Sequence, residues 1–249
     1  MIHSFLLIGQ SNMAGRGFLT EAPDVDTSRI RILRNGRWQP MFRPVVPDRI
    51  TSGVCLAESF AAAYAKKYDV DVGLIPCADG GTQISQWLPE SLLYDHAVLQ
   101  AKLAQRTSTI AGVLWHQGES DCVEDRIAPY EGRLRLVITA IRKDLGLEDV
   151  PFLLGELGTY LAEHEAEYLH NYPAINKSIR ACEDKKARIG VVPADGLGSN
   201  PDKLHFSAEA LYEFGLRYFD VFEQLRDPNK VFSEKPSEDD LLRTALEQY

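Results

Sequence analysis

Cysteine is scarce in this chain of 249 residues, and the four present, Cys55, Cys77, Cys122 and Cys182, stand far apart with no C-x-x-C pair. That excludes a zinc ribbon and a dense disulfide framework, and leaves buried free thiols as the expectation. Basic residues are outnumbered, with 27 Lys and Arg against 36 Asp and Glu, so the formal net charge of −9 offers nothing to a phosphate backbone or an anionic lipid surface. No apolar run approaches the roughly 20 residues of a membrane span. The opening segment, Met1-Ile2-His3-Ser4-Phe5-Leu6-Leu7-Ile8-Gly9, lacks the basic start and small-residue cleavage site of a signal peptide and reads as a first strand. The expectation is a soluble, cytoplasmic protein with neither nucleic acid nor membrane as partner. Repeats and low-complexity stretches are absent too. What is present is an ordinary globular balance, 45% hydrophobic and 25% charged, in a chain long enough to bury roughly three quarters of its unfolded surface.

Short apolar runs of strand character at 5–9, 72–76, 110–115, 151–154 and 188–192 alternate with helical periodicity at 55–68, 92–106, 127–145, 164–184 and 208–225. Pro173 marks a break or kink in the fourth of these helical stretches. Near-continuous hydrophobic strands are buried on both faces, the mark of a parallel sheet. The alternation predicts a three-layer α/β/α sandwich with a five-stranded parallel sheet, in which ligands sit outside the carboxyl ends of the strands. Residues 1–226 make one domain and 227–249 a C-terminal tail wrapping the surface. Residues 18–53, with four prolines and little periodicity, read as a long excursion over the first strand end.

Four strand-end segments carry polar residues beyond what turns require. After the first strand, Gly9-Gln10-Ser11-Asn12-Met13-Ala14-Gly15-Arg16 exposes a serine hydroxyl beside backbone N–H groups suited to a developing oxyanion. Ser is also a favoured helix N-cap, so a capping role is the alternative for Ser11. Position 13 is Met13, which excludes the G-x-S-x-G elbow. After the second strand, Gly80-Gly81-Thr82 permits close backbone approach to a ligand, and Trp87 either walls a sugar pocket or packs. After the third, His116-Gln117-Gly118-Glu119-Ser120-Asp121 offers a neutral amide donor in Gln117. His116, Glu119 and Asp121 also suggest a metal, but no further ligand pair at suitable spacing accompanies them, so no metal is expected and His116 takes a supporting role. Before the last helix, Asp202 and His205 lie three apart, near enough for the carboxylate to accept the Nδ1 proton and leave Nε2 as a base. A nucleophile, N–H donors and an Asp/His base at one sheet edge form a constellation for acyl transfer.

Gly9-Gln10-Ser11-Asn12, Gly80-Gly81-Thr82 with Trp87, His116-Gln117-Gly118-Glu119 and Asp202-x-x-His205 together resemble the SGNH hydrolases. They are most similar to the carbohydrate esterase branch that includes sialate O-acetylesterase and acetylxylan esterase-related proteins. The resemblance implies a flavodoxin-like fold and deacetylation of small acetylated carbohydrates without metal or cofactor. It implies Ser11 as nucleophile, His205 as base and Asp202 as orienting acid. Oxyanion donors are then the Ser11 backbone, one glycine of the Gly80-Gly81 pair and Gln117, which stands where the wider superfamily has Asn. Gln10, Glu119 and Trp87 complete the expected oxyanion and substrate contacts. The alternatives are a non-catalytic carbohydrate-binding domain and an esterase for lipid-like or thioester acyl chains, for which no apolar lid is evident.

Overall fold

The computed structural model describes residues 2–226, so the tail expected over 227–249 lies outside the described residues. Among the described residues seven strands, β1 (Ile2–Gly9), β2 (Ile30–Arg34), β3 (Arg37–Pro40), β4 (Asp71–Pro76), β5 (Thr109–His116), β6 (Phe152–Gly155) and β7 (Ile189–Val192), form one sheet in the order β3-β2-β4-β1-β5-β6-β7. Every pair is parallel except β2 with β3. β1 holds the centre because Phe5, Leu6, Leu7 and Ile8 are all fully buried, which only a strand covered on both faces allows.

The five expected strands are there, and the sheet gains two more from the segment read as a loop. Asn35 and Gly36, with φ of 53° and 75°, turn the chain between β2 and β3. Two left-handed residues in succession suit a tight hairpin, and Asn-Gly supplies them at least cost. Prolines on either side hide this signal in the sequence.

The described residues hold six α-helices: α1 (Ser11–Ala14), α2 (Ala57–Tyr68), α3 (Leu92–Ala104), α4 (Glu124–Leu145), α5 (Tyr172–Ala181) and α6 (Ala208–Leu225). α4 begins three residues before its apolar periodicity, with Glu124 and Asp125 in the first turn where carboxylates oppose the helix dipole. The long helix expected over 164–184 is instead a short 3₁₀ turn, Glu167–Asn171, followed by α5. Pro173 sits in the first turn of α5, where a missing N–H costs nothing.

Right-handed crossovers place α2 and α6 on one face of the sheet and α3, α4 and α5 on the other. On the first face Phe5 meets Phe60 and Tyr64 at 4.8 Å between ring centroids and Phe222 at 5.8 Å, joining strand to both helices. β1 lies where the strand order reverses, so the loops leaving β1, β4 and β5 converge there, at the crevice where α/β sheets take ligands.

Candidate active site

Gly9 ends β1 with φ of 133°, and a Cβ placed there would sit 2.0 Å from the carbonyl oxygen of His116. Only glycine lets the chain turn this close to β5. The turn makes Ser11 the first residue of α1 and makes Gln10 its N-cap, with no side-chain capping bond. The capping alternative for Ser11 is therefore overturned. Its Oγ instead donates to His205 Nε2 at 3.0 Å, with the ring nitrogen roles assigned from the partners.

His205 is held by Asp202, whose Oδ2 lies 2.7 Å from Nδ1. The other carboxylate oxygen accepts the backbone N–H groups of Leu204 and His205, each at 3.0 Å. Lys203, between them, adopts φ of 53°, and this left-handed residue curls the loop so that one short side chain reaches two amides and a ring. Burial alone would raise the Asp202 carboxyl. The hydrogen bonds from the His205 ring and the two amides outweigh it and hold the group below the ordinary carboxylate range.

Asn12 joins the two segments, although sequence reasoning assigned it no role. Its amide nitrogen donates to Glu119 Oε1 at 2.5 Å and to the Leu204 carbonyl at 3.2 Å, while its oxygen accepts from the Phe206 N–H at 3.1 Å. The residue next to the serine thus brackets the histidine. Asn200 adds a second tie, donating to the Arg16 carbonyl at 2.8 Å.

The segment after β5 behaves differently from its expectation. Gln117 is fully buried, and its amide nitrogen serves Gln10 Oε1 at 3.1 Å, the Thr82 carbonyl at 3.0 Å and Asp121 Oδ2 at 2.6 Å. Two hydrogens facing three acceptors leave none for an oxyanion, so the donor role expected of Gln117 is corrected to a structural one. Gln10 Oε1 also accepts the N–H groups of Gly118 and Ser120. Asp121 Oδ2 accepts from Gln117 and from the Ile84 N–H, tying this segment to the one after β4. Burial raises the Asp121 carboxyl against those bonds. His116 packs edge-on to Phe206 and Phe214, and its Nε2 donates to the Glu156 carbonyl at 3.1 Å. Burial lowers its pKa, so the ring stays neutral. Its other nitrogen is 3.8 Å from Glu119. Among the described residues no three His, Cys, Asp or Glu side chains gather to hold a metal ion.

Trp87 is buried and donates to Thr82 Oγ1 at 3.1 Å while packing edge-on against Trp115. It belongs to the core, and the sugar-wall role is overturned. Gly80 lies close beside Ser11, but its N–H already donates to Asp48 Oδ2 at 2.8 Å. Gly81, with φ of 74°, has open space around it. Asp48 also takes both terminal nitrogens of the Arg16 guanidinium, at 3.0 and 2.7 Å, and the Ser52 hydroxyl at 2.7 Å. Burial pushes the Asp48 carboxyl up, yet these donors carry it below its ordinary value. Arg16 and Asp48 frame the candidate site, and sequence reasoning assigned neither a role. Arg16 stood in a motif already singled out, whereas Asp48 stood among prolines with no motif to mark it.

A cavity of about 370 Å³ opens over this edge, lined by Gln10, Ser11, Gly80, Gly81, Glu119 and His205 among others. It brings together all the expected contact residues except Gln117, Trp87 and Asp202. A hydroxyl aligned on a carboxylate-backed imidazole at the wall of an open cavity can transfer an acyl group.

A protein-family model described as "Carbohydrate esterase, sialic acid-specific acetylesterase" matches residues 1–224. An Arabidopsis thaliana protein named "Probable carbohydrate esterase" is 30% identical over 238 residues, covering 85% of this chain and 86% of its own. The crystal structure of that plant protein superposes with a TM-score of 0.79 at 26% identity, covering 89% of this chain and 97% of the other. A carbohydrate acetylesterase from Xanthomonas citri aligns at 18% identity with a TM-score of 0.66, over 90% of this chain and 56% of its own, a likeness of fold.

Proposed function

The chain belongs to the carbohydrate esterase family described as sialic acid-specific acetylesterase, a family of carboxylic ester hydrolases, and on that premise we propose that it removes O-acetyl groups from carbohydrates through an acetyl-enzyme on Ser11. The observation that carries the reading is the chain of contacts from Ser11 Oγ to His205 Nε2 at 3.0 Å and from His205 Nδ1 to Asp202 at 2.7 Å. With Nδ1–H donated to the carboxylate, Nε2 is left as the acceptor.

Ser11 Oγ attacks the acetyl carbonyl carbon while its proton passes to His205 Nε2. The carbonyl oxygen becomes an oxyanion held by backbone N–H groups. Those of Ser11 at the start of α1 and of Gly81 fit the role, since the Gly80 N–H is engaged by Asp48. As the C–O bond to the sugar breaks, His205 returns the proton to the sugar oxygen and acetyl-Ser11 remains. Water then attacks that ester with His205 taking its proton, acetate leaves, and the proton returns to Ser11. Gln10, its carbonyl end fixed by three donors, keeps its amide nitrogen for substrate at the cavity wall.

Acetate release from O-acetylated xylan fragments, O-acetylated sialic acids and p-nitrophenyl acetate tests the reading. Release from at least one acetylated sugar by the wild type and none by folded Ser11→Ala is expected. Wild-type protein inert on all three classes, or equal release by the variant, refutes it.

A further inference from the structure

Eight large apolar side chains are exposed among the described residues, and three of them, Phe18, Leu19 and Ile50, line a second cavity of about 470 Å³. Ile50 is wholly exposed, and among the described residues nothing packs over this apolar side chain. Apolar side chains gathered on one rim mark a binding surface, whereas scattered ones need no explanation. This rim is continuous with the active site. His205 and Arg16 line both cavities, and Asp202 lines the second.

The two cavities divide around the catalytic base. Ser11, Gly80 and Gly81 line the first and are absent from the lining of the second, which therefore opens on the side of His205 away from the oxyanion donors. In acyl transfer the departing alcohol oxygen takes its proton from His205, so the alcohol part of the ester occupies the His205 side. Among the described residues no unpaired cation lines it to receive an anion. The Arg16 guanidinium is closed against Asp48, the Asp202 carboxylate is held by His205 and the Ser52 hydroxyl donates to Asp48, which leaves the Thr20 and Thr51 hydroxyls and the apolar rim.

We propose that the groove of Phe18, Leu19 and Ile50 binds an apolar aglycone, alkyl or aryl, on the alcohol part of the acetyl ester. This rests on the esterase reading and adds that the substrate is a glycoside or similar alcohol with an apolar end, rather than a free anionic sugar.

Acetates of linear alcohols from ethanol to hexanol test it, because leaving-group basicity is nearly constant along the series while apolar area grows. kcat/KM should rise by about threefold per methylene that enters the groove, giving hexyl acetate at least a tenfold advantage over ethyl acetate. Ile50→Asp, a change at a solvent-exposed position, should cut that ratio severalfold, and Phe18→Ser combined with it should bring the ratio close to one. Turnover with a flat wild-type series, or a ratio that neither variant moves, overturns the inference and leaves the esterase reading standing. No turnover of any acetate or acetylated sugar overturns both. Sedimentation showing a wild-type dimer that Ile50→Asp dissociates makes a second copy of this chain the occupant, and also overturns it.

Discussion

Two strand ends of equal polarity have opposite fates in this molecule. The segment after β1 directs a hydroxyl at His205, while the segment after β5 turns its amide and carboxylates inward. Both are nearly as buried as core residues, with Ser11 at 6% exposure and Gln117 at 0%. What separates them is saturation of hydrogen bonds. Every hydrogen of the Gln117 amide has a protein acceptor, whereas Ser11 bonds to a base that can take its proton. Polar density at a strand end therefore marks a site without telling which residues react and which hold the frame.

The sharpest way to break this contrast is to exchange the effects of the two segments. Ser11→Ala should lower kcat by three orders of magnitude or more, on the order of 4 kcal/mol of transition-state stabilisation, with thermal unfolding unchanged. A folded variant with near-normal kcat would move the chemistry away from the end of β1. Gln117→Ala should do the reverse and act mainly on stability. It leaves Asp121 Oδ2, the Thr82 carbonyl and Gln10 short of a donor, a loss of about 2–3 kcal/mol seen in denaturant unfolding. A thousandfold fall in kcat with unchanged unfolding would restore Gln117 as an oxyanion donor.

Asn12 stands between the two segments, and Asn12→Ala should show intermediate behaviour. It removes two bonds to the His205 loop and one to Glu119, so kcat should fall about tenfold, or ~1.4 kcal/mol, with KM little changed. A change confined to KM would make Asn12 a substrate contact. The smallest effect concerns Asp202. Its carboxyl is held below the ordinary range, so the stability it adds is present above its unfolded pKa and is lost as pH falls through the lower folded value. Asp202→Asn should then be less stable than wild type near neutrality, and the two should converge in strong acid. A difference that widens on acidification would reverse the assigned direction of the shift. In kinetics Asp202→Ala should retain more activity than His205→Ala, because it orients the base and does not carry the proton.

Much of the fold was legible because its strands are short, apolar and double-covered, as Phe5-Leu6-Leu7-Ile8 shows. The β2–β3 hairpin was not, since its flanking prolines outweighed Asn35-Gly36 in the reading of residues 18–53. In the site, the structure brings together Ser11, Asp202 and His205, which the sequence singles out by residue type at strand ends. Trp87 and Gln117 were misplaced because an indole or amide reads the same in sequence whether it faces a cavity or the Thr82 side chain and carbonyl. Asp48 was invisible: its bonds to Arg16 and Gly80 span 32 positions, and no local pattern announces a contact of that range.

The central claim, that Ser11 carries the acyl group and His205 moves its proton, is tested most directly by trapping the intermediate. The protein is mixed with an acetyl ester, quenched in acid within one turnover, digested and mapped by mass spectrometry. One acetyl group should appear on the peptide holding Ser11 in the wild type and be absent from Ser11→Ala. An acetyl group on another residue, or turnover with no acetylated peptide at any quench time, would contradict the account.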